Sequence, residues 1–290
     1  YSDNHFFVSL GYRNPQPQLQ NRNVYESYYN YRFYGATTKE IIRRDLEITD
    51  MEVWWTRPGS AGSSTDPEER AAVAFVDMTG FEYKRNEQNF STEITKYVDP
   101  AFKVESQSGI VEVGNFKKLK RDVDYTYNEF TGILTLLQSV QEDQVVAVAY
   151  RVKGDPATGG NVFYGTFVTD PRLEQISPSP RLVLKLVKPR NLSPTFTQAW
   201  KHRVRSIYSL NMRNMKKEDI ANFKIVYRAG ATQDNEAMPA GYKWLNLFGL
   251  DHTDDNGGPQ SDSRIDYVEG VTVNSIRGEI IFPTLEPWND

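Results

Sequence analysis

The stretch from Asp251 to Asp266, DHTDDNGGPQSDSRID, is the part of the chain best suited to chemistry, with five Asp among Asn, Gln, Ser and Thr. Calcium loops set oxygen ligands at alternate positions, a turn residue in mid-loop and a carboxylate at position twelve. Asp251, Thr253, Asp255 and Asp262 fall at positions one, three, five and twelve of such a loop. This makes Asp251, Asp255 and Asp262 the candidate ligands of a calcium ion. Two departures weigh against it. Asn256 stands where glycine is usual, and Asp262 is shorter than the bidentate glutamate that normally closes the loop. A frame starting at Asp254 competes, and the alternative is a solvated Asp/Asn/Gly loop before a strand.

Other reactive side chains form no constellation. His5, His202 and His252 are scattered and lack metal-ligand or nucleophile-elbow spacing. His202, between Lys201 and Arg203, is expected to be exposed. The adjacent carboxylates Glu68-Glu69, Glu142-Asp143 and Glu218-Asp219 read as solvated turns. No catalytic residue emerges, and we do not expect an enzyme. Aromatic residues are abundant, with 17 Tyr and 5 Trp. Trp54 and Trp55 are neighbours in a strand-like run, so their side chains point to opposite faces. One is expected in a core, with the other exposed or covered by another part of a larger protein. Trp200 is expected in a core.

The 290 residues suffice for roughly two domains. With 39% hydrophobic and 25% charged residues the composition is that of a folded chain. A net charge of −4 argues against nucleic acid as the main partner, since phosphate binding needs a clustered basic field. The longest apolar run, VVAVAY, falls short of the ~18 residues of a membrane helix. The absence of cysteine excludes disulfides and thiolate metal sites. The chain opens at Tyr1 without methionine or leader, so we expect a region of a longer protein whose targeting signal lies elsewhere.

Strand signals dominate: FFVSLGYR (6–13), EITDMEVWWT (47–56), AAVAFVDM (71–78), DYTYNEFTGILTLL (124–137), QVVAVAYRV (144–152), LVLKLVK (182–188) and NFKIVYRA (222–229). LVLKLVK alternates cleanly with period two. One helix is expected at about 194–209, with Ser193 as N-cap, Pro194 at the first helical position, and Phe196, Trp200, Val204, Ile207 and Tyr208 on its apolar face. The expected fold is mainly β, with antiparallel β-sandwich-like domains and that single packed helix. The proline-containing segment 171–181 reads as a linker between domains at 1–170 and 182–290. The first 35 or so residues, rich in Tyr, Asn and Gln, carry little assignable signal.

YTYNEFTGILTL (125–136) and VTVNSIRGEIIFP (271–283) share Thr-x-Asn-x-x-x-Gly. Asn128 and Asn274 can bond their own backbone, and Gly132 and Gly278 supply positive φ for a hairpin loop. Either a good turn is used twice, or two similar domains carry equivalent edges.

Several stretches together resemble one family. They are EITDMEVWWT with AAVAFVDM, RDVDYTYNEFTGILTLLQSVQEDQVVAVAYRV, LVLKLVKPRNLSPTFTQAWKHRVRSIYSL and LFGLDHTDDNGGPQSDSRIDYVEGVTVNSIRGEIIFPTLEPW. Over roughly residues 35–290 the chain resembles the very large outer-membrane proteins called SprA or Sov in gliding and secreting Bacteroidetes. The resemblance implies a role in the type IX secretion system, whose translocon is a wide β-barrel passing folded cargo such as adhesins and proteases. It implies no catalytic residues. The expected partners are other secretion-system proteins and exported cargo, and the expected location is the outer membrane for the parent protein. This region lacks a series of ten-residue strands with apolar lipid faces, so we expect it outside the barrel wall, on the periplasmic or extracellular side. The competing reading is a carbohydrate-binding β-sandwich module, in which exposed aromatic rings stack on sugars.

Overall fold

In a computed structural model the chain is described at residues 2–9, 46–56, 68–84, 87–154, 156–158, 160–228, 230 and 234–288. The end of the expected strand 6–13, the Tyr-rich early segment and most of the 57–70 loop lie outside these residues. The protein is mainly β, with 31% strand and 12% helix among the described residues. It divides into two compact units, one holding described residues 3–9 and 46–203, the other residue 2 and residues 204–288.

The larger unit contains β1 (His5–Phe7), β2 (Ile48–Trp55), β3 (Glu69–Phe75), β4 (Glu82–Lys84), α1 (Thr92–Val98), β5 (Val111–Lys118), β6 (Tyr125–Tyr127), β7 (Ile133–Leu136), β8 (Val146–Val152), β9 (Val162–Tyr164), α2 (Arg172–Ile176), β10 (Leu182–Lys188) and α3 (Thr197–Trp200). Strands β2, β3, β5, β8 and β10 close into a ring in the order β10-β3-β5-β2-β8, because β10 pairs with both β3 and β8. The arrangement is a small barrel and not a sandwich, and its β3–β10 pair is parallel. Closure is thinnest between β2 and β5, which share only Trp54↔Lys118 and Trp55↔Lys117. Cross-strand partners lie on the same face, so the register aligns Trp54, Ala72, Ala74, Phe116, Ala147, Ala149 and the leucines of β10 on one face of the ring. All are buried in one cluster, where four alanines leave room for the two large rings.

This ring corrects the expected boundary at 171–181. β10 belongs to the same sheet as β3 and β8, and the segment before it carries α2, whose Leu173 is buried in the same cluster. Arg181 is held there too, donating to the carbonyls of Tyr97, Asp99 and Phe102 around the C-terminus of α1. Satisfying terminal carbonyls in this way is a common role for a basic side chain. Helix α1 itself escaped the sequence reading, although Ser91 is a proper N-cap that accepts from the Ile94 N–H.

The helix expected at 194–209 is a single turn, α3, with Phe196 and not Ser193 at its N-cap. The chain leaves the helix at Lys201, and Ile207–Ser209 becomes a strand, β11, paired with a strand near the C-terminus. Val204 and Ile207 are β-branched and weakly helical, and antiparallel pairing outweighs the 3.6-residue pattern. Trp200 is only half-buried, beneath the Arg203 guanidinium at 5.0 Å.

The smaller unit holds β11, β12 (Tyr227–Arg228), β13 (Asp234–Asn235), α4 (Trp244–Leu247), β14 (Val273–Asn274) and β15 (Glu279–Ile281). Among the described residues of the expected strand 222–229, only Tyr227–Arg228 form a strand; Ala229 lies outside the described residues. Its core gathers Met215, Ile220, Leu245, Leu250, Ile265, Val273, Ile280 and Phe282.

The repeated hairpin is a larger repeated module. β6–β7 and β14–β15 are both closed by an Asn-x-x-x-Gly loop, in which the Asn side chain accepts loop N–H groups. Gly132 and Gly278 have φ of 66° and 64°. In each unit the second hairpin strand is central in a three-stranded sheet, β1-β7-β6 and β11-β15-β14. The registers correspond: Phe6–Leu134–Tyr127 in one, Tyr208–Ile280–Val273 in the other.

Candidate functional site

The carboxylates of the acidic loop turn to backbone N–H groups and to cations. Asp251 is 1% exposed, and its two carboxylate oxygens accept the N–H groups of Asp262 and Ser263, each at 3.0 Å. Burial pushes its carboxyl above the usual range, against those hydrogen bonds, and the nearby Asp262 and Asp266 charges add to the rise. Asp266, 7% exposed, accepts the N–H of His252 and the N–H and hydroxyl of Thr253, while its own N–H donates to Leu250 O. Residues 251 and 266 thus close the neck of the loop. Asp255 is engaged by Lys217 at 3.3 Å and Arg264 at 2.5 Å, and Asp262 accepts the Arg264 N–H.

The candidate ligands Asp251, Asp255 and Asp262 therefore do not converge. Each carboxylate is turned to a backbone N–H or a cation, which leaves no shared centre at the distances calcium requires. Among the described residues no group of three or more His, Asp or Glu side chains is disposed to hold a metal ion. The expected exposure of His202 is also corrected. Its imidazole is 0% exposed and its Nδ1 lies 2.7 Å from Phe7 O, so it ties β1 to the chain beyond α3.

Among the described residues of the larger unit, two clefts stand out. One cleft of about 470 Å³ is lined by Asp50, Arg151, Phe163, Phe167, Asp170 and Arg172, among others. Its cations are already engaged. Arg172 donates to both oxygens of Asp170 and covers the Tyr83 and Phe90 rings, and Arg151 donates to Thr49. Burial raises the Asp170 carboxyl, yet the Arg172 hydrogen bonds prevail and hold it below its ordinary range.

The second cleft, about 460 Å³, opens at the seam where β2 and β5 pair over only two residues. Trp54 is buried in the ring at 1% exposure, while Trp55, on the opposite face, is half-buried and lines the cleft. The Trp55↔Lys117 pairing sets an ammonium-bearing chain beside the indole. Lys118, Lys120, Gln138 and Gln144 also line the cleft. Glu68 is shared between Lys117 at 3.4 Å and Lys120 at 3.6 Å, and Lys118 donates to Glu52 at 2.6 Å. Sequence reasoning missed this site. Its signal was the Lys-Lys-Leu-Lys run at 117–120, but the meeting of that run with Trp-Trp depends on β5 pairing with β2 sixty residues away.

On the smaller unit, Tyr227, Trp244, Phe248, Trp288 and Tyr208 form a row of rings with successive centroids 4.5–6.5 Å apart. Tyr227 and Trp288 are 59% and 52% exposed. Such a partly open aromatic surface suits recognition of a partner or a ligand.

No protein-family model matches the chain, and no curated protein matches it.

Proposed function

We infer that the chain is a non-catalytic, β-rich extramembrane region of a large outer-membrane protein-export channel of the type IX kind. There it shapes or caps the conduit and offers surfaces to partner or cargo proteins. The observation that carries the reading is the three-stranded turn-and-hairpin module present once in each unit, which suits a scaffold assembled from repeated β-elements. The resemblance of residues 35–290 to the SprA or Sov proteins supports it. In a gliding bacterium carrying the gene, in-frame removal of residues 204–288 should reduce release of type IX cargo into the medium while the parent protein stays in the outer membrane. Undiminished release with the shortened parent in place would refute the reading.

A second reading, a carbohydrate-binding module, is supported by the half-exposed rings of Tyr227 and Trp288. Binding of neutral glycans on an array, abolished by Trp288→Ala, would favour it; a silent array would remove it.

A further inference from the structure

The seam cleft beside Trp55 combines features that neither proposed reading requires. It is concave, and its volume of about 460 Å³ falls in the ~300–1,000 Å³ range of small-ligand sites. One wall carries an indole that is half-buried and fixed by strand pairing on both sides, to β8 and β5. Three lysines and two carboxylates, Glu68 and Asp124, line the cleft, and since Lys118 is committed to Glu52, its acid-binding side is Lys117 and Lys120. Asp124 is occupied structurally, accepting from the Lys120 N–H and the Gln138 amide, so it is a weak competitor for an ammonium. Glu68 is 42% exposed and lies 3.4 and 3.6 Å from two lysines, a solvent-screened contact for which an incoming carboxylate can compete. The Lys120 side chain, also in the lining, is 68% exposed.

We propose that this cleft binds a carboxylate-bearing oligosaccharide of the uronate class. A sugar ring stacks its apolar face on Trp55, its carboxylate takes the place of Glu68 between Lys117 and Lys120, and the Gln138 amide meets hydroxyl groups. The site deepens the carbohydrate reading by naming an acidic ligand. It lies in the larger unit and uses none of the rings of the smaller one, so the two can fail separately.

The test is titration of the whole chain with oligogalacturonate, followed by tryptophan fluorescence and calorimetry, with a neutral β-glucan oligomer of equal length and a glutamate oligomer as comparators. Saturable uronate binding is expected to weaken with salt and to fall about tenfold or more in Lys117→Ala/Lys120→Ala. Trp55→Ala should abolish it, while Trp55→Phe, which keeps a ring for packing, retains part. Trp288→Ala should leave it unchanged, which separates this site from the aromatic row. Three results would overturn the proposal: no uronate binding by the folded chain, equal binding of the neutral oligomer, or binding of the glutamate oligomer with the uronate silent. The last would assign the cleft to an acidic protein partner.

Discussion

Lys185 sits in the middle of β10 at 6% exposure, with its ammonium donating to Val76 O and Asp77 nearby. Burial pulls its pKa from the ordinary 10.5 down to about 8, and Asp77 resists that fall. A lowered lysine means that the folded state gives up its proton before the unfolded state does. Below about pH 8 both states are protonated and the fold carries the full cost of a buried charge. Between about pH 8 and 10.5 the unfolded chain binds more protons, so stability rises with pH. The drop from 10.5 to about 8 corresponds to about 3 kcal/mol. Lys185→Met removes that charge at nearly constant volume, but leaves the Val76 carbonyl without its lysine donor, a loss of about 1–3 kcal/mol. At pH 7 the variant should therefore equal or exceed the wild type. By pH 9.5 the wild type should have gained about 2 kcal/mol on it. Urea unfolding of both proteins at pH 7, 8.5 and 9.5 measures the difference, from which groups common to both cancel. Parallel stability curves across this range would show that the lysine is not held against its charge.

The same strand supplies a contrary case. Lys188 donates to the carbonyls of Gln141, Glu142 and Gln144 at 2.7–3.0 Å. Although Gln141 O and Glu142 O also accept the Gln144 and Asn191 N–H groups, Gln144 O would lose its lysine donor, so Lys188→Met should cost about 1–3 kcal/mol in urea unfolding; a variant as stable as wild type would refute the fastening role. In the second hairpin, a Cβ at Gly278 would lie 2.0 Å from Met212 O, at a φ of 64°. Gly278→Ala should lower stability by at least about 1 kcal/mol, beyond the ordinary left-handed strain, and an unchanged melting temperature would contradict the close approach of Met212 to this turn. Millimolar calcium should leave the melting temperature of the wild type unmoved, whereas Asp251→Ala should lower it, by removing the acceptor of two partly buried N–H groups. A calcium-dependent rise would restore the ion.

Strands with both faces or one face strongly apolar were legible: β2, β6, β7, β8 and β10 fall where the pattern placed them. What misled was the meaning of alternation in Leu-Val-Leu-Lys-Leu-Val-Lys. Period two suggests one wet face, yet all seven residues are buried. β10 lies between two neighbours in a closed ring, with its inner face against the alanines and its outer face also covered, so its lysines must find backbone carbonyls and not water. Nothing local announces this. The acidic loop shows the same limit from the opposite side. Its spacing matched a calcium loop in sequence, but spacing does not say whether carboxylates turn toward a common point or back onto their own chain. Asp251 and Asp266 turn back, and the N–H groups of 252, 253, 262 and 263 decide it.

The repeated module shows how chemistry can persist where letters do not. The Asn-x-x-x-Gly loops were visible because one residue type does each job. The turn before each hairpin was not, since Arg-Asp-Val-Asp-Tyr and Glu-Gly-Val-Thr-Val share little. Yet Asp122 and Gly270 take the same left-handed conformation, φ 63° and 71°, and each donates its N–H across the turn, to Tyr125 O and Val273 O. Asp124 and Thr272 both accept, through their side chains, an N–H four residues earlier, from Lys120 and Val268. Aspartate is among the few side chains that tolerate the left-handed region, and a carboxylate or a hydroxyl can serve as acceptor, so two spellings satisfy one geometry. The third strand comes from residues 5–7 in one unit and 207–209 in the other, at unrelated distances from the hairpin. Only the pairing of Phe6 with Leu134 and of Tyr208 with Ile280 reveals that both strands fill the same place.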